Sequence, residues 1–300
     1  MCLLRQAWFA FMMSDDTYAL LSAWLRSPGG LAVACLWGAI WGSFANVCIH
    51  RIPLGQSIVL PASHCPSCKA DIAWYDNFPI VSWLLLRGRC RRCQAVIGVR
   101  YPLVELVLLL LAAAIYARFV LSENGPLAIV LSRFVTYFFF ATTLVVLSAI
   151  DLQTQLLPDR ITYPAIPLFF VLGRICGHTT LADAALGLVA GYVVVWVIAT
   201  AYRYLKGREG LGLGDAKLLS LIGGLLGWHA LPWTLFFGSV SGLLLALPVL
   251  LFRRRGADGA LLHAEVPFGP FLSLAALVYT LLFVGRDPLT WLATSLPSFL

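Results

Sequence analysis

Two acidic residues stand at the ends of apolar stretches of this sequence. Asp151 closes one stretch in Ala-Ile-Asp-Leu, and Asp215 opens another within Gly212-Leu-Gly214-Asp215-Ala-Lys217. Ionisable residues at the ends of apolar helices are energetically expensive, which makes them candidates for function. Two carboxyl groups held close together cannot both ionise at low cost, so such a pair shares one proton. One member then activates water as a general base while the other polarises a carbonyl, which is aspartic-peptidase chemistry.

Structural explanations compete with this hypothesis. Asp215 is also a reasonable helix cap, and Asp151 is also a reasonable marker of a loop. Asp159, eight residues after Asp151, is a rival partner, although Leu-Pro-Asp before an apolar run is more typical of a helix start.

The residues around Asp215 are candidates for supporting roles. Gly212 and Gly214 lack a Cβ and so leave room for a substrate backbone. Lys217, two positions after Asp215, projects to about the opposite side of a helix. This placement favours an interfacial cation over a catalytic one.

Four cysteines form two CxxC pairs, Cys65/Cys68 and Cys90/Cys93, with 21 residues between the pairs. Each pair places two sulfurs on one tight turn, and two such turns complete a tetrahedral zinc site. A redox-active pair or two disulfides are the alternatives, but a cytoplasmic location disfavours both. We expect the arginines next to Cys90 and Cys93 to favour thiolates.

The zinc predicted at this site is structural. Four protein ligands leave no open position for catalysis. The cysteines lie in a hydrophilic insert of only about 50 residues between the first two apolar runs of the sequence. Folds of that size often need a metal to be stable.

Other catalytic signatures are missing from the sequence. There is no HExxH, no P-loop and no GxGxxG placed between a strand and a helix. Residues 238–242 resemble GxSxG but have Val at the centre, and the five histidines do not cluster.

Composition indicates an integral membrane protein. The 300 residues are 60% hydrophobic and 12% charged, against about 45–50% and 25% in soluble domains. This argues against a cytosolic enzyme, a disordered chain or a secreted disulfide scaffold. The net charge of +7 is typical of basic cytoplasmic loops in membrane proteins, so no nucleic-acid partner is expected.

The apolar runs predict an all-α polytopic protein with about eight transmembrane helices. A small zinc-binding cytoplasmic insert lies between the first two. The predicted spans are Leu31–Cys48, Leu103–Val120, Leu127–Ile150, Ile161–Cys176, Ala184–Tyr202, Ala216–Trp228, Leu231–Phe252 and Phe268–Val284.

Basic residues predict the orientation of these spans. If the first span ends in the cytoplasm, 15 of the 21 Lys and Arg face inward, in residues 51–101, 151–160, 203–217 and 253–265. The positive-inside rule then places both termini in the periplasm and both aspartates at the cytoplasmic face. The predicted domains are an interfacial segment 1–30, a first helix 31–48, the insert 49–101 and a peptidase domain 102–300.

From residue 40 onward the chain resembles the prepilin leader peptidases of bacterial type IV pilus and type II secretion systems. The motifs that carry the likeness are Gly42-Ser-Phe-Ala-Asn46-Val47, Arg51-Ile-Pro53, Ser63-His-Cys65-Pro-Ser-Cys68, Trp74-Tyr-Asp-Asn-Phe-Pro-Ile-Val-Ser-Trp83, Leu86-Arg-Gly-Arg-Cys90-Arg-Arg-Cys93, Arg100-Tyr-Pro-Leu-Val-Glu105, Ile150-Asp151, Leu157-Pro-Asp159, Gly212-Leu-Gly-Asp-Ala-Lys-Leu218 and Pro267-Phe-Gly-Pro-Phe271. Their order and spacing make the resemblance specific.

The resemblance implies a membrane aspartic peptidase of the GxGD type in the bacterial inner membrane. Such an enzyme cuts the basic leader from a prepilin or pseudopilin at the cytoplasmic face, and Asp151 and Asp215 match its catalytic pair. Many members also methylate the new N-terminus with S-adenosylmethionine, an activity that goes with the cysteine insert. The family often has Gly after the fourth cysteine, where this chain has Gln94.

Two other functions stay open at this point. The first is a transporter that uses the aspartates as a proton or cation relay. The second is a zinc-dependent membrane anchor without catalysis. The sequence fixes neither the particular pilin nor the oligomeric state.

Overall fold

The structure is a computed structural model that describes residues 15–207, 212–253 and 267–285. Within these ranges the chain forms α-helices and no β-strand. The helices are α1 Asp15–Leu25, α2 Pro28–Arg51, α3 Val81–Leu85, α4 Arg100–Tyr116, α5 Leu127–Thr154, α6 Asp159–Cys176, α7 Leu181–Lys206, α8 Leu213–Leu226, α9 Ala230–Arg253 and α10 Gly269–Leu282. The all-helical prediction is therefore confirmed for the described residues.

Local sequence explains where the long helices begin and end. Ser27 caps α2 by accepting a hydrogen bond from the Gly29 N–H, and Thr180 caps α7 by accepting one from the Asp183 N–H. Gly207 ends α7 in the left-handed conformation, at φ 64°, which glycine adopts without a steric penalty.

Four described helices are long and apolar enough to cross a membrane. They are Pro28–Arg51, Arg100–Leu121 (α4 with a following π-helical turn), Leu127–Thr154 and Leu181–Lys206. They coincide with the predicted spans one, two, three and five.

The other four predicted spans also fall on helices, but their ability to cross stays a prediction. Two of these helices, α8 and α10, have 14 residues each. That is about 21 Å at 1.5 Å per residue, which is shorter than a hydrocarbon core of about 30 Å.

The chain divides into two compact units, Met1–Val146 and Leu147–Leu300. In the first, α2 packs closely against α4. A Cβ added at Gly38 would lie 2.5 Å from the Leu108 carbonyl oxygen, and one added at Gly42 would lie 2.5 Å from the Glu105 Cα. The Gly-x-x-x-Gly spacing therefore lets two backbones approach, as it does in many membrane helix pairs.

In the second unit, α7 packs against α8 in the same way. The spacing recurs at Gly187 and Gly191, and a Cβ added at Gly191 would lie 2.5 Å from the Leu219 carbonyl oxygen. Gly187 and Gly223 face each other so closely that a Cβ on either would clash with the carbonyl of the other. This packing fixes the position of α8, which carries Asp215.

Some predictions fall outside the described residues. They concern residues 1–14 of the predicted interfacial segment, residues 208–211 of the basic loop 203–217, residues 254–265 of the basic loop 253–265 and residues 286–300 of the predicted peptidase domain. Residues 15–25 of the interfacial segment form α1. The predicted domain boundaries stay predictions.

Candidate active site

Asp151 lies three residues before the end of α5 and is only 5% exposed. Its Oδ2 accepts a hydrogen bond of 3.1 Å from the backbone N–H of Gly269, the first residue of α10. The first N–H groups of a helix have no partner within that helix. The carboxyl of Asp151 therefore caps α10, where the helix dipole also favours negative charge.

Asp215 is the third residue of α8 and is 9% exposed. Its carboxyl group interacts electrostatically with that of Asp151, and its backbone N–H donates to the Gly212 carbonyl at 3.1 Å. The structure thus brings together two buried carboxyl groups that lie 64 positions apart in the sequence. Both belong to the second unit, and their role as a catalytic pair stays a prediction.

The two glycines before Asp215 have different surroundings. A Cβ added at Gly214 would lie 3.1 Å from the Leu157 side chain, so this residue packs against the loop after α5. Among the described residues, a Cβ at Gly212 would meet only the Gly214 nitrogen, at 3.8 Å. Gly212 is exposed, so of the two it has the open space that a peptide backbone needs.

Lys217 takes part in a separate interaction. Its Nζ pairs with the Asp159 carboxylate and lies 4.6 Å from the centre of the Tyr163 ring. Asp159 is the first residue of α6, as its Leu-Pro-Asp context predicts, and its Oδ1 accepts a hydrogen bond from Lys217 Nζ. Lys217 therefore links the start of α6 to α8.

Gly269 is the residue near the aspartates to which sequence analysis assigned no role. It lies 118 positions from Asp151 and has no side chain. A Cβ at this position would lie 2.6 Å from Asp151 Oδ2. The sequence signal for this position is the Phe-Gly-Pro motif, because proline in the first turn marks the start of a helix. The first N–H groups of that helix, including the one of Gly269, need a partner from outside it.

The four predicted zinc cysteines come together in the first unit. The Sγ atoms of Cys65, Cys68, Cys90 and Cys93 all lie within 4.8 Å of one another, and those of Cys65 and Cys93 are 3.8 Å apart. Sulfurs on a tetrahedron with zinc–sulfur bonds of about 2.3 Å are about 3.8 Å apart. All four are free thiols, so the cluster is compatible with a structural zinc ion.

Each CxxC pair is held by the same backbone pattern. The Cys65 N–H donates to the Ala70 carbonyl and the Cys90 N–H to the Ala95 carbonyl, both at 2.9 Å. The residues after each second cysteine, Lys69 and Gln94, have φ of 57° and 59°. This left-handed region favours glycine, so both turns hold a side-chain-bearing residue in a conformation that glycine adopts more readily.

The insert contains a thiol suited to metal binding. Backbone hydrogen bonds from Cys68 and Ser67 lower the pKa of the Cys65 thiol to about 6. Although a backbone hydrogen bond from Ala95 lowers it, the pKa of the Cys93 thiol is raised to about 11, because burial and hydrogen bonds with the other three thiols outweigh that bond.

Arg91 makes a bidentate pair with Asp76 at 2.6 and 2.8 Å, and the expectation that the arginines favour thiolates stays a prediction. This hydrogen bonding from Arg91 lowers the pKa of Asp76, and the pair ties the second cysteine turn to the short helix Trp74–Asp76.

Comparison with protein families agrees with both parts of the chain. Residues 36–119 match the bacterial peptidase A24 N-terminal domain, and residues 138–247 match the type IV leader peptidase family. The first match contains the four cysteines, and the second contains Asp151 and Asp215. A membrane protein with paired buried aspartates and a four-cysteine insert is therefore the class that the fold and the sequence define.

Curated relatives match over most of the chain. A protein of Aeromonas hydrophila is 38% identical over 87% of this chain and 92% of its own length. A protein of Klebsiella pneumoniae is 41% identical over 68% of this chain and 88% of its own length. A protein of Pseudomonas aeruginosa is 34% identical over 80% of this chain and 86% of its own length. Each is named prepilin leader peptidase/N-methyltransferase. No solved structure matches the chain. The chain belongs to the type IV leader peptidase family, and the transporter alternative has no support.

Proposed function

We propose that this enzyme removes the leader of type IV prepilins or type II secretion pseudopilins and then methylates the new N-terminus. Asp151 and Asp215 are its catalytic pair. The observation that carries the peptidase assignment is the burial of these two carboxyl groups within electrostatic range of each other. Family membership and the names of the relatives support both activities.

The pair can hydrolyse a peptide bond while sharing one proton. One carboxylate takes a proton from water as the water oxygen attacks the scissile carbonyl carbon. The protonated carboxyl donates a hydrogen bond to the carbonyl oxygen. The carbon–nitrogen bond then breaks, and the nitrogen leaves with a proton from the pair. Gly212 gives the substrate backbone space, and Gly214 and Lys217 hold α8 against its neighbours.

The cysteine insert belongs to the methylation half of this proposal. We assign Cys65, Cys68, Cys90 and Cys93 to a structural zinc ion, because their sulfurs are spaced for tetrahedral ligation. S-adenosylmethionine supplies the methyl group for the amine that leader cleavage exposes.

The membrane arrangement completes the proposal. The chain crosses the bacterial inner membrane eight times, with both termini in the periplasm and the insert in the cytoplasm. In this arrangement the active site lies at the cytoplasmic face. The proposed domains are the interfacial segment 1–30, the first helix 31–48, the insert 49–101 and the peptidase domain 102–300. The charge distribution supports this orientation, since cytoplasmic loops carry an excess of Lys and Arg.

The decisive test of the pair is the substitution of each aspartate. Asp151→Asn and Asp215→Asn should each abolish leader removal from a purified precursor in detergent, while the protein still inserts into the membrane. Asp183→Asn is the matched control. Like Asp215, Asp183 lies in the first turn of a helix of this unit, but its carboxyl group accepts a hydrogen bond from Thr180. Cleavage retained by either of the first two variants would contradict the assignment.

A further inference from the structure

A cavity of about 350 Å³ lies in the first unit, between the last turns of α2 and the insert. Pockets for small ligands have volumes of about 300–1,000 Å³. Its lining combines apolar and polar side chains, among them Phe44, Val59, Ser43, Ser63, Asn77 and Arg51. The volume falls within this range, and the lining offers both apolar and polar contacts.

Among the described residues that line this cavity, the charged one is an arginine. Arg51 is the last residue of α2 and is only 8% exposed. Its guanidinium donates to two neutral groups, the carbonyls of Ser57 at 3.0 Å and Ala62 at 3.4 Å. Within the described residues, no acidic side chain lines the cavity or pairs with Arg51. Since a buried cation without an anion is costly, the cavity is suited to an anionic ligand group.

One wall of the cavity is held by a buried carboxyl group. Glu105 Oε2 accepts a 2.6 Å hydrogen bond from the Ile80 N–H, and the same carboxyl interacts with Ser43, which lines the cavity. Ile80 has φ 63°, a conformation that β-branched residues rarely adopt. Backbone strain of this kind persists where surrounding contacts enforce it, often at ligand sites. Glu105 is thus a positioning residue for the wall at residues 77–80.

We infer that this cavity binds S-adenosylmethionine, with Arg51 binding the carboxylate of its methionine part. The inference rests on the proposed methyltransferase function. The ligand carries one carboxylate for the one buried guanidinium, and arginine is well suited to binding carboxylates. Its adenine ring finds apolar contact at Phe44 and Val59, and its hydroxyls find polar partners in Ser63 and Asn77.

Binding of radiolabelled S-adenosylmethionine to the purified full-length protein, without pilin, tests this site. Arg51→Gln should weaken binding by about 30-fold or more. Arg174→Gln should leave it unchanged, since Arg174 donates to the Thr179 carbonyl and does not line the cavity. Zinc content and thermal unfolding of the same preparations report that the first unit of each variant is folded, since leader cleavage is expected to survive unfolding of the insert. Ultraviolet cross-linking of the label to the wild-type protein should mark residues 43–63 or 77–80.

Several results would overturn the inference. Unchanged affinity in folded Arg51→Gln, or label that maps elsewhere while the wild type methylates pilin, contradicts this site alone. A wild type that neither binds the donor nor methylates contradicts the proposed methyltransferase function as well. If Arg51→Gln keeps donor binding but loses thermal stabilisation by phosphatidylglycerol micelles, the cavity holds a lipid headgroup, and the inference fails.

Discussion

The two candidate centres are positioned by different kinds of structure. The aspartates of the second unit lie on long or closely packed helices, and Gly187 and Gly223 set the approach of α7 to α8. The cysteines of the first unit lie on turns, in an insert whose only regular elements are two short helices within residues 52–99.

Because of this difference, the two centres depend on different interactions for their stability. Helix packing can hold two carboxyl groups in place without any cross-link, since buried apolar side chains and close backbone contacts fix the helices. The insert has little apolar core, so a metal must supply much of its folding free energy. Cleavage should therefore depend on helix packing, and methylation on the metal.

Removal of the metal should give the largest effect. Because the insert is expected to unfold without zinc, Cys68→Ser with Cys93→Ser, or a strong chelator, should reduce methylation to background and leave leader cleavage intact. The measurement is mass analysis of the product N-terminus after incubation with precursor and methyl donor. Cys35→Ser is the control, since Cys35 lies in α2 outside the cluster. Parallel loss of both activities would contradict the separation.

A matched glycine pair tests the helix packing. Gly223→Ala places a methyl group against the Gly187 carbonyl and should destabilise the protein by about 1–3 kcal/mol, with loss of cleavage. At the adjacent Gly224, a new Cβ would lie 3.6 Å from Leu188 Cδ1. Gly224→Ala should be neutral or stabilising, because alanine favours helices by about 1 kcal/mol. Thermal unfolding in detergent measures both, and equal effects would refute the close-packing account.

Glu105 offers a smaller perturbation within the first unit. Glu105→Ala leaves the Ile80 N–H without its acceptor, at a cost of about 1–3 kcal/mol. Methylation should fall through a raised KM for the methyl donor, and leader cleavage should not change. Glu105→Gln retains an acceptor oxygen and should recover most of the activity. An unchanged KM in Glu105→Ala would show that Glu105 does not position the wall of the cavity.

The smallest predicted effect is a gain of stability. Gln94 has φ 59°, and the left-handed conformation costs a non-glycine residue about 1–2 kcal/mol. Gln94→Gly should therefore slow zinc loss to a chelator, whereas Gln94→Ala should not. A Gln94→Gly variant that loses zinc faster would contradict the strain at this turn.

Sequence patterns anticipated the parts of the molecule that depend on local chemistry. The CxxC spacing predicted that four thiols meet, and the positions of Asp151 and Asp215 at the ends of apolar runs predicted a carboxyl pair. Four predicted spans coincide with helices able to cross a membrane. Each of these features follows from residue types at short spacing or from the length of an apolar run.

Features that depend on tertiary packing were not predictable in this way. The Gly269 N–H reaches Asp151 across 118 positions, and a glycine carries no side-chain signal. The partner of Arg91 is Asp76 and not a thiolate, because the turn geometry, which the sequence does not show, decides which acceptor the guanidinium can reach. The left-handed φ of Gln94 was equally hidden, since glutamine gives no indication of such a conformation.

The pH dependence of leader cleavage tests the central claim most directly. If Asp151 and Asp215 share one proton, kcat/KM must fall at low pH, where the base becomes protonated, and at high pH, where the shared proton is lost. The account predicts a bell-shaped profile in the wild type and in Asp183→Asn. A rate that rises to a plateau and stays there to alkaline pH, with the protein still folded, would contradict a proton-sharing pair.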